Sequence, residues 1–198
     1  MTNEEMIYPF QPPKKNFVDK SSGTVHINGE LDDSILTDII PALDDLMLTS
    51  VTLSDSIKVL RFRITSHGGN VEILFALLDQ IEELRRLGFR IETHIRGYAD
   101  SCASLLAAFG DKGYRTCGPY SASVVHHFSG YNYVSTASEI DRVYANNKRL
   151  SAKLKNLYLS NSKMKEKEYD EMIASDFCEL DAKELLKKGL IDTIVYNS

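Results

Sequence analysis

From Gly23 onward, short apolar runs of strand length alternate with longer runs of helical periodicity, and this alternation restricts the chain to an α/β architecture. Gly23–Gly29 (Gly-Thr-Val-His-Ile-Asn-Gly) reads as a strand between turn residues, and the apolar spacing of Leu31–Leu48 is helical. Ile57–Thr65 is a second strand, ended by Ser66-His67-Gly68-Gly69-Asn70. Val71–Leu87 is an amphipathic helix closed by Gly88, a residue suited to the left-handed turn after a helix. Phe89–Arg96 is a third strand, and Ser101–Phe109 is a helix so apolar that it must be buried. Such repetition predicts a mainly parallel sheet. Gly113–Cys117 and Ser121–Phe128 supply two more strands, and Ser138–Asn161 is a polar helix longer than a domain of this size needs for its own core. Val143, Leu150, Leu154 and Leu157 share a face of it, which predicts that it docks on another subunit. Lys163–Ala174 and Ala182–Lys188 are further helices, and Gly189 leads into a last strand, Leu190–Tyr196.

With 198 residues, 43% of them hydrophobic, the chain can bury one substantial core, so a single domain is expected at 21–198. Pro9, Pro12 and Pro13 beside Lys14 and Lys15 predict a mobile N-terminal arm over residues 1–20. The net charge of −5 is spread along the sequence and forms no basic stripe, which argues against nucleic acid as a partner. No apolar run approaches the roughly 20 residues that span a bilayer, and the first residues lack the features of a signal peptide. A cytoplasmic protein with no membrane partner is the expectation. Cys102, Cys117 and Cys178 are odd in number and lack CxxC spacing, so neither a disulfide framework nor a metal site is expected.

Three segments carry residue types suited to acyl-transfer chemistry. In Gly97-Tyr98-Ala99-Asp100-Ser101-Cys102-Ala103-Ser104 a strand gives way to the apolar helix, and a serine there meets the free N–H groups of a first helical turn. Such groups can hold an oxyanion, so Ser101 stands where a nucleophile would; an ordinary N-cap serine stands there too. Ser66-His67-Gly68-Gly69 also ends a strand, and its paired glycines let backbone approach a ligand closely. Val124-Val125-His126-His127-Phe128 offers a base. Neighbouring side chains of a strand point to opposite faces, so only one of the two histidines is expected at a site shared with Ser101.

The segment from Ile64 to Ile191, about two thirds of the chain, resembles the proteolytic subunit of Clp protease, the ClpP family. Its Ser-Pro-Gly-Gly matches Ser66–Gly69, its Gly-x-Ala-x-Ser matches Gly97–Ser101, its Met-Ile-His matches Val124–His126, and its alanine-rich turn followed by Gly-Leu-Ile-Asp matches Ala182–Asp192. The resemblance implies a ClpP/crotonase-like fold of repeated ββα units, with a mainly parallel sheet and a handle helix at about 138–161. It implies a serine endopeptidase with Ser101 as nucleophile, His126 as base, and an oxyanion hole from the N–H groups of Gly69 and Cys102. The third member falls in Ser175–Ala182, where Asp176 is the choice and Asp181 the substitute. No metal or organic cofactor is implied. The partners implied are peptide or unfolded-protein substrates, sister subunits in a heptameric ring stacked as a tetradecamer, and a separate ATP-driven AAA+ unfoldase.

Several positions depart from the family pattern. His67 replaces a proline, Asp100 places a negative charge beside the nucleophile, and His127-Phe128 replaces Gln-Pro. Asp100, if it faces inward, is expected to raise the pKa of a neighbouring imidazole. These changes suggest a divergent, virus-type or accessory member, and Ala103–Asp111 also resembles phage head-maturation peptidases. Two rivals follow: a catalytically impaired ring subunit, and a crotonase-type acyl-CoA enzyme of similar architecture that needs no serine at this helix start.

Overall fold

The computed structural model describes residues 14–49, 58–127, 136–174 and 177–196. Strands β1 (Asn16–Asp19), β2 (Thr24–Ile27), β3 (Val59–Ser66), β4 (Arg90–Ala99), β5 (Arg115–Cys117) and β8 (Thr193–Ile194) lie side by side in that order. All these neighbours are parallel except β1 and β2. Strand β6 (Ala122–Val125) pairs parallel with the end of β4, Tyr98 against Ala122, and antiparallel with β7 (Cys178–Asp181). The mixed α/β fold with a mainly parallel sheet is therefore observed.

The strands form where apolar and polar residues alternate. In β3, Leu60, Phe62 and Ile64 point into the core while Arg61 and Arg63 point out. Arg61 meets Glu92 directly across the ladder, 3.0 Å away. Helices α2 (Val71–Arg86) and α3 (Cys102–Ala108) cover the inner face, and every residue of α3 is buried, as its composition demanded. Asn70 caps α2 by accepting from the Glu72 and Ile73 N–H groups. The region expected as one helix after β2 is a π-helical turn, Ile35–Ile39, running into α1 (Ile40–Thr49).

Two expectations need correction. Asn16–Asp19, expected within a mobile arm over residues 1–20, form β1, and residues 1–13 lie outside the described residues. Asn16 is buried and donates to the Glu30 carbonyl and Ser34 Oγ, at 3.0 and 2.9 Å, while Phe17 stacks on His26 with ring centroids 4.3 Å apart. The long helix α4 (Ala137–Ser160) is present and opens on a capping box of Thr136 and Glu139, but its apolar stripe is largely covered by its own chain. Leu150 and Tyr158 are buried, and Leu154 and Leu157 pack on the core. What is left uncovered is Ile140 and Tyr144, 54% and 70% exposed, on a half-helix that buries no residue from 138 to 149.

The last elements close the body. Helix α5 (Glu166–Ala174) packs Tyr169 against Tyr158 of α4, ring centroids 5.7 Å apart. Helix α6 (Ala182–Lys188) ends at Gly189 in the left-handed conformation. Asp192 then forms an ion pair with Arg115, whose side chain is only 4% exposed. Nε and Nη2 of that arginine reach the carboxylate at 2.8 and 2.6 Å, and Nη1 reaches the carbonyls of Ala108 and Asn161 at 3.1 and 2.5 Å. One buried guanidinium thus joins β5, the ends of α3 and α4, and the segment entering β8.

Candidate active site

Ser101 occupies the N-cap position of α3 with φ 51° and ψ −124°, and among the described residues it is the single non-glycine at positive φ. An L-residue enters this region only at a cost of order 1–3 kcal/mol. Its side chain makes no capping hydrogen bond, so the ordinary N-cap reading fails. The conformation is that of a sharp strand-to-helix turn, which lifts a serine hydroxyl out of the backbone's own hydrogen bonding. Surrounding bonds hold the turn: Ser101 N–H donates to the Val124 carbonyl at 2.7 Å, and the Ser101 carbonyl accepts from Ser104 Oγ at 2.7 Å and from Tyr158 Oη at 3.2 Å.

The glycine pair abuts this turn. Gly68 has φ +97°, and a Cβ there would stand 2.8 Å from Ser101 Cβ and 3.1 Å from Cys102 N. Gly69 has φ +146°, and its Cβ would stand 2.5 Å from the Leu31 carbonyl oxygen. No side chain fits at either position, so only glycine permits this approach. Among the described residues, the N–H groups of Gly69 and Cys102 reach no carbonyl. Their polar neighbour is the Cys102 thiol, a weak acceptor, so neither N–H is taken up by a backbone carbonyl beside Ser101.

Ser101, Gly69, Cys102, His126 and His127 line one cavity of about 280 Å³. The remaining wall is mostly apolar, from Val71, Leu105, Leu154, Tyr158, Tyr169 and Ile173. Lys155 stands at its edge, held by Asp170 and Glu166 at 2.7 and 2.8 Å. Those bonds, that to Asp170 first, push its ammonium pKa up and keep it charged. The expectation that strand alternation admits only one histidine does not apply, because β6 ends at Val125 and both histidines lie beyond it. His126 Nδ1 is 2.6 Å from the His127 carbonyl oxygen, which can only accept, so Nδ1 is the donor, and in the neutral form of the ring the lone pair is then on Nε2. Ser101 Oγ and His126 are not hydrogen-bonded in this state.

The other predicted residues divide. Asp181 is exposed, caps α6 by accepting from the Glu184 N–H at 2.8 Å, and pairs in register with Ala122, away from His126. Asp176 lies outside the described residues; Cys178, two positions later, pairs with Val125, the neighbour of His126. Burial pushes the Cys102 thiol up to about 11, so at neutral pH its sulfur is an un-ionised thiol and a poor nucleophile. Tyr158 and Ser104 were missed by reading motifs alone. The signal for Tyr158 was the stripe Leu150, Leu154, Tyr158 at helical spacing.

Residues 17–198 match the Clp protease family. The chain belongs to that family. It is 28% identical over 175 residues to the ATP-dependent Clp protease proteolytic subunit of Carsonella ruddii, covering 87% of this chain and 83% of the relative. It is 28% identical over 176 residues to that of Streptococcus mutans, covering 88% and 85%. With proteolytic subunit 2 of Chlamydia pneumoniae it shares 30% over 171 residues, covering 86% and 79%. At such identities the chain is a divergent member of a peptidase family.

Proposed function

We propose that this chain is a serine endopeptidase in which Ser101 is the nucleophile, His126 the general base, and the Gly69 and Cys102 N–H groups the oxyanion hole. The observation that carries the reading is Ser101 itself, held at φ 51° with an uncapped side chain in a cavity it shares with His126 and Gly69. Ser101 Oγ attacks the peptide carbonyl while His126 Nε2 takes its proton, and the two N–H groups hold the oxygen that becomes negative. His126 then protonates the leaving amine, and a water, activated by the same imidazole, hydrolyses the acyl-enzyme. For the first step, a rotation of His126 brings Nε2 to Ser101. Asp176 is the proposed partner that then takes over Nδ1, a role the capping position of Asp181 leaves it unable to fill.

Fluorophosphonate labelling followed by peptide mass spectrometry tests this: the adduct should sit on Ser101 and be absent from the Ser101→Ala variant. An adduct elsewhere, or none, sinks the reading. Such a result would favour the impaired-subunit alternative, which the present absence of a Ser101–His126 hydrogen bond leaves open.

The proposal extends to assembly and setting. The uncovered Ile140 and Tyr144 on α4 are suited to a contact between subunits of a ring, which would enclose the site and be fed by a separate ATP-driven unfoldase. Light scattering should then give several times the 22.3 kDa chain mass. A monomer at micromolar concentration would refute the ring. A cytoplasmic setting fits the three free cysteines, and among the described residues no helix is long and apolar enough to cross a membrane.

A further inference from the structure

Asp100 and His67, the two departures that flank the site, are in contact. Asp100 Oδ2 lies 2.7 Å from His67 Nδ1, and Asp100 Oδ1 accepts the Val124 N–H at 2.9 Å. The carboxylate is 15% exposed, and the His67 ring is stacked on Tyr98 with centroids 4.1 Å apart. Its chain neighbour Ser101 donates to the carbonyl of the same Val124, so residues 100 and 101 grip both polar groups of one residue. Asp100 N–H donates to the Ser66 carbonyl at 2.9 Å as well. Strands β4 and β6 share a single register pair, Tyr98 and Ala122, so these bonds supply much of what ties β6 to the β4 side beyond it, while β7 pairs along its other edge. Val124 stands two residues before His126, and His67 stands two residues before Gly69.

We propose that Asp100 is a positioning residue, whose carboxylate ties the strand end bearing the base and the turn bearing half of the oxyanion hole to the nucleophile beside it. The inference rests on the serine-peptidase reading above. Acyl transfer needs Ser101, His126 and the Gly69 N–H in register to a fraction of an ångström, and a misplacement of about 1 Å costs on the order of 100-fold in rate. A single side chain bonded to both flanking segments supplies that register. Only its acceptor geometry is required, since an amide at this position can still accept from the Val124 N–H and donate to a neutral imidazole. The fold has an independent tie here, Ser123 Oγ donating to the Ala99 carbonyl at 2.5 Å, so loss of the carboxylate leaves β6 attached but less well aimed.

The test measures the rate of Ser101 labelling by a fluorophosphonate, and kcat and KM on a short fluorogenic peptide, for the full chain and three variants. Asp100→Ala should lower kcat and the labelling rate on the order of 100-fold with KM within about threefold. Asp100→Asn should stay within about threefold of wild type, because the acceptor is restored. His67→Ala removes one tie from an exposed side chain and should cost about fivefold in kcat, which keeps the test decisive should Asp100→Ala fail to fold. Wild-type kcat in His67→Ala, a rise in KM alone in Asp100→Ala, or equal damage from Asp100→Asn and Asp100→Ala would each overturn the proposal. Wild-type protein that takes no label would overturn the serine reading itself and this inference with it, whereas labelling of Asp100→Ala at the wild-type rate overturns this inference alone.

Discussion

The two ends of helix α3 receive opposite treatment. At its C-terminal end the three last carbonyls are all taken by side chains: Ala107 by Thr93 Oγ1 at 2.7 Å, Ala108 by Arg115 Nη1 at 3.1 Å, and Phe109 by Arg85 Nη2. At its N-terminal end the Cys102 N–H reaches no carbonyl, the Ser101 hydroxyl does not cap, and the backbone is held at φ 51°. Ala103 N–H and Ser104 N–H do find carbonyls, those of Asp100 and Ser101 at 2.9 and 3.1 Å, so the opening is confined to Cys102, and a fold that closes one end with side chains and leaves this N–H without a carbonyl has a use for it. That end is where a substrate's carbonyl can find donors. The closed end is the anchor that keeps the strained turn from relaxing.

The sharpest way to break this division is to remove the proposed nucleophile. Ser101→Ala should lower peptidase turnover by at least about 10³-fold while leaving the unfolding midpoint nearly unchanged, since its hydroxyl caps no backbone group and has only the weakly bonding Cys102 thiol as a polar neighbour. His126→Ala should be almost as damaging. His127→Ala should keep most of the activity, because the imidazole of His127 has no part in the proposed steps and the carbonyl that holds His126 at rest belongs to the backbone, which alanine retains. Steady-state kinetics on fluorogenic peptides checks all three, and equal losses from the two histidine variants would move the base to a shared role.

A smaller loss, of stability, should come from the closed end. Arg115→Ala strips the partner from Asp192 and leaves that carboxylate mostly buried, at a cost of about 3–5 kcal/mol read by urea unfolding. Activity per folded molecule should fall less than in the Ser101 variant. The same pair gives a pH signature. Burial raises the Asp192 pKa, but the Arg115 side chain and the Gly113 and Arg115 N–H groups outweigh it, and the net shift is downward. A depressed carboxylate stabilises the fold above its unfolded value of about 3.9, and that contribution is lost as pH falls below this value through the folded one. Stability should therefore decline in acid below about pH 4, and Asp192→Asn should flatten that decline while lowering stability at pH 7. An unchanged acid limb in the variant would show that other carboxylates dominate it.

How legible each end was follows from the physics that shapes it. The open end depends on local chain chemistry: a strand, a small-residue turn and an apolar helix, with Gly68-Gly69 at the next strand end. These leave marks within a few residues, so Ser101, Gly69 and His126 are readable as candidates. The closed end depends on Arg115, Asp192, Arg85 and Thr93, with the bonded pair Arg115 and Asp192 separated by 77 residues, and no periodicity announces such pairs. Strand β1 was hidden for the same reason. Asn16 is ordered by Glu30, Asn28 and Ser34, while its own neighbourhood of prolines and lysines reads as a free arm. The position of the histidines beyond the end of β6 was also invisible, because the apolar run gives no sign of where ladder pairing stops.

The smallest effect, and the one most specific to the comparison, concerns strain at Ser101. Backbone at φ 51° and ψ −124° is open to glycine without a Cβ penalty, so Ser101→Gly should relieve about 1–3 kcal/mol of strain. Glycine also loosens the unfolded chain, which takes back about 0.4–1 kcal/mol. The net expectation is a variant that is inactive yet more stable than wild type by about 1 kcal/mol, and more stable than Ser101→Ala, which keeps the Cβ and hence the strain. Urea midpoints at equal slope decide it. A stability of Ser101→Gly below that of Ser101→Ala would mean the turn stores no strain, and the open end would then be ordinary backbone without the tension that the anchored end is there to hold.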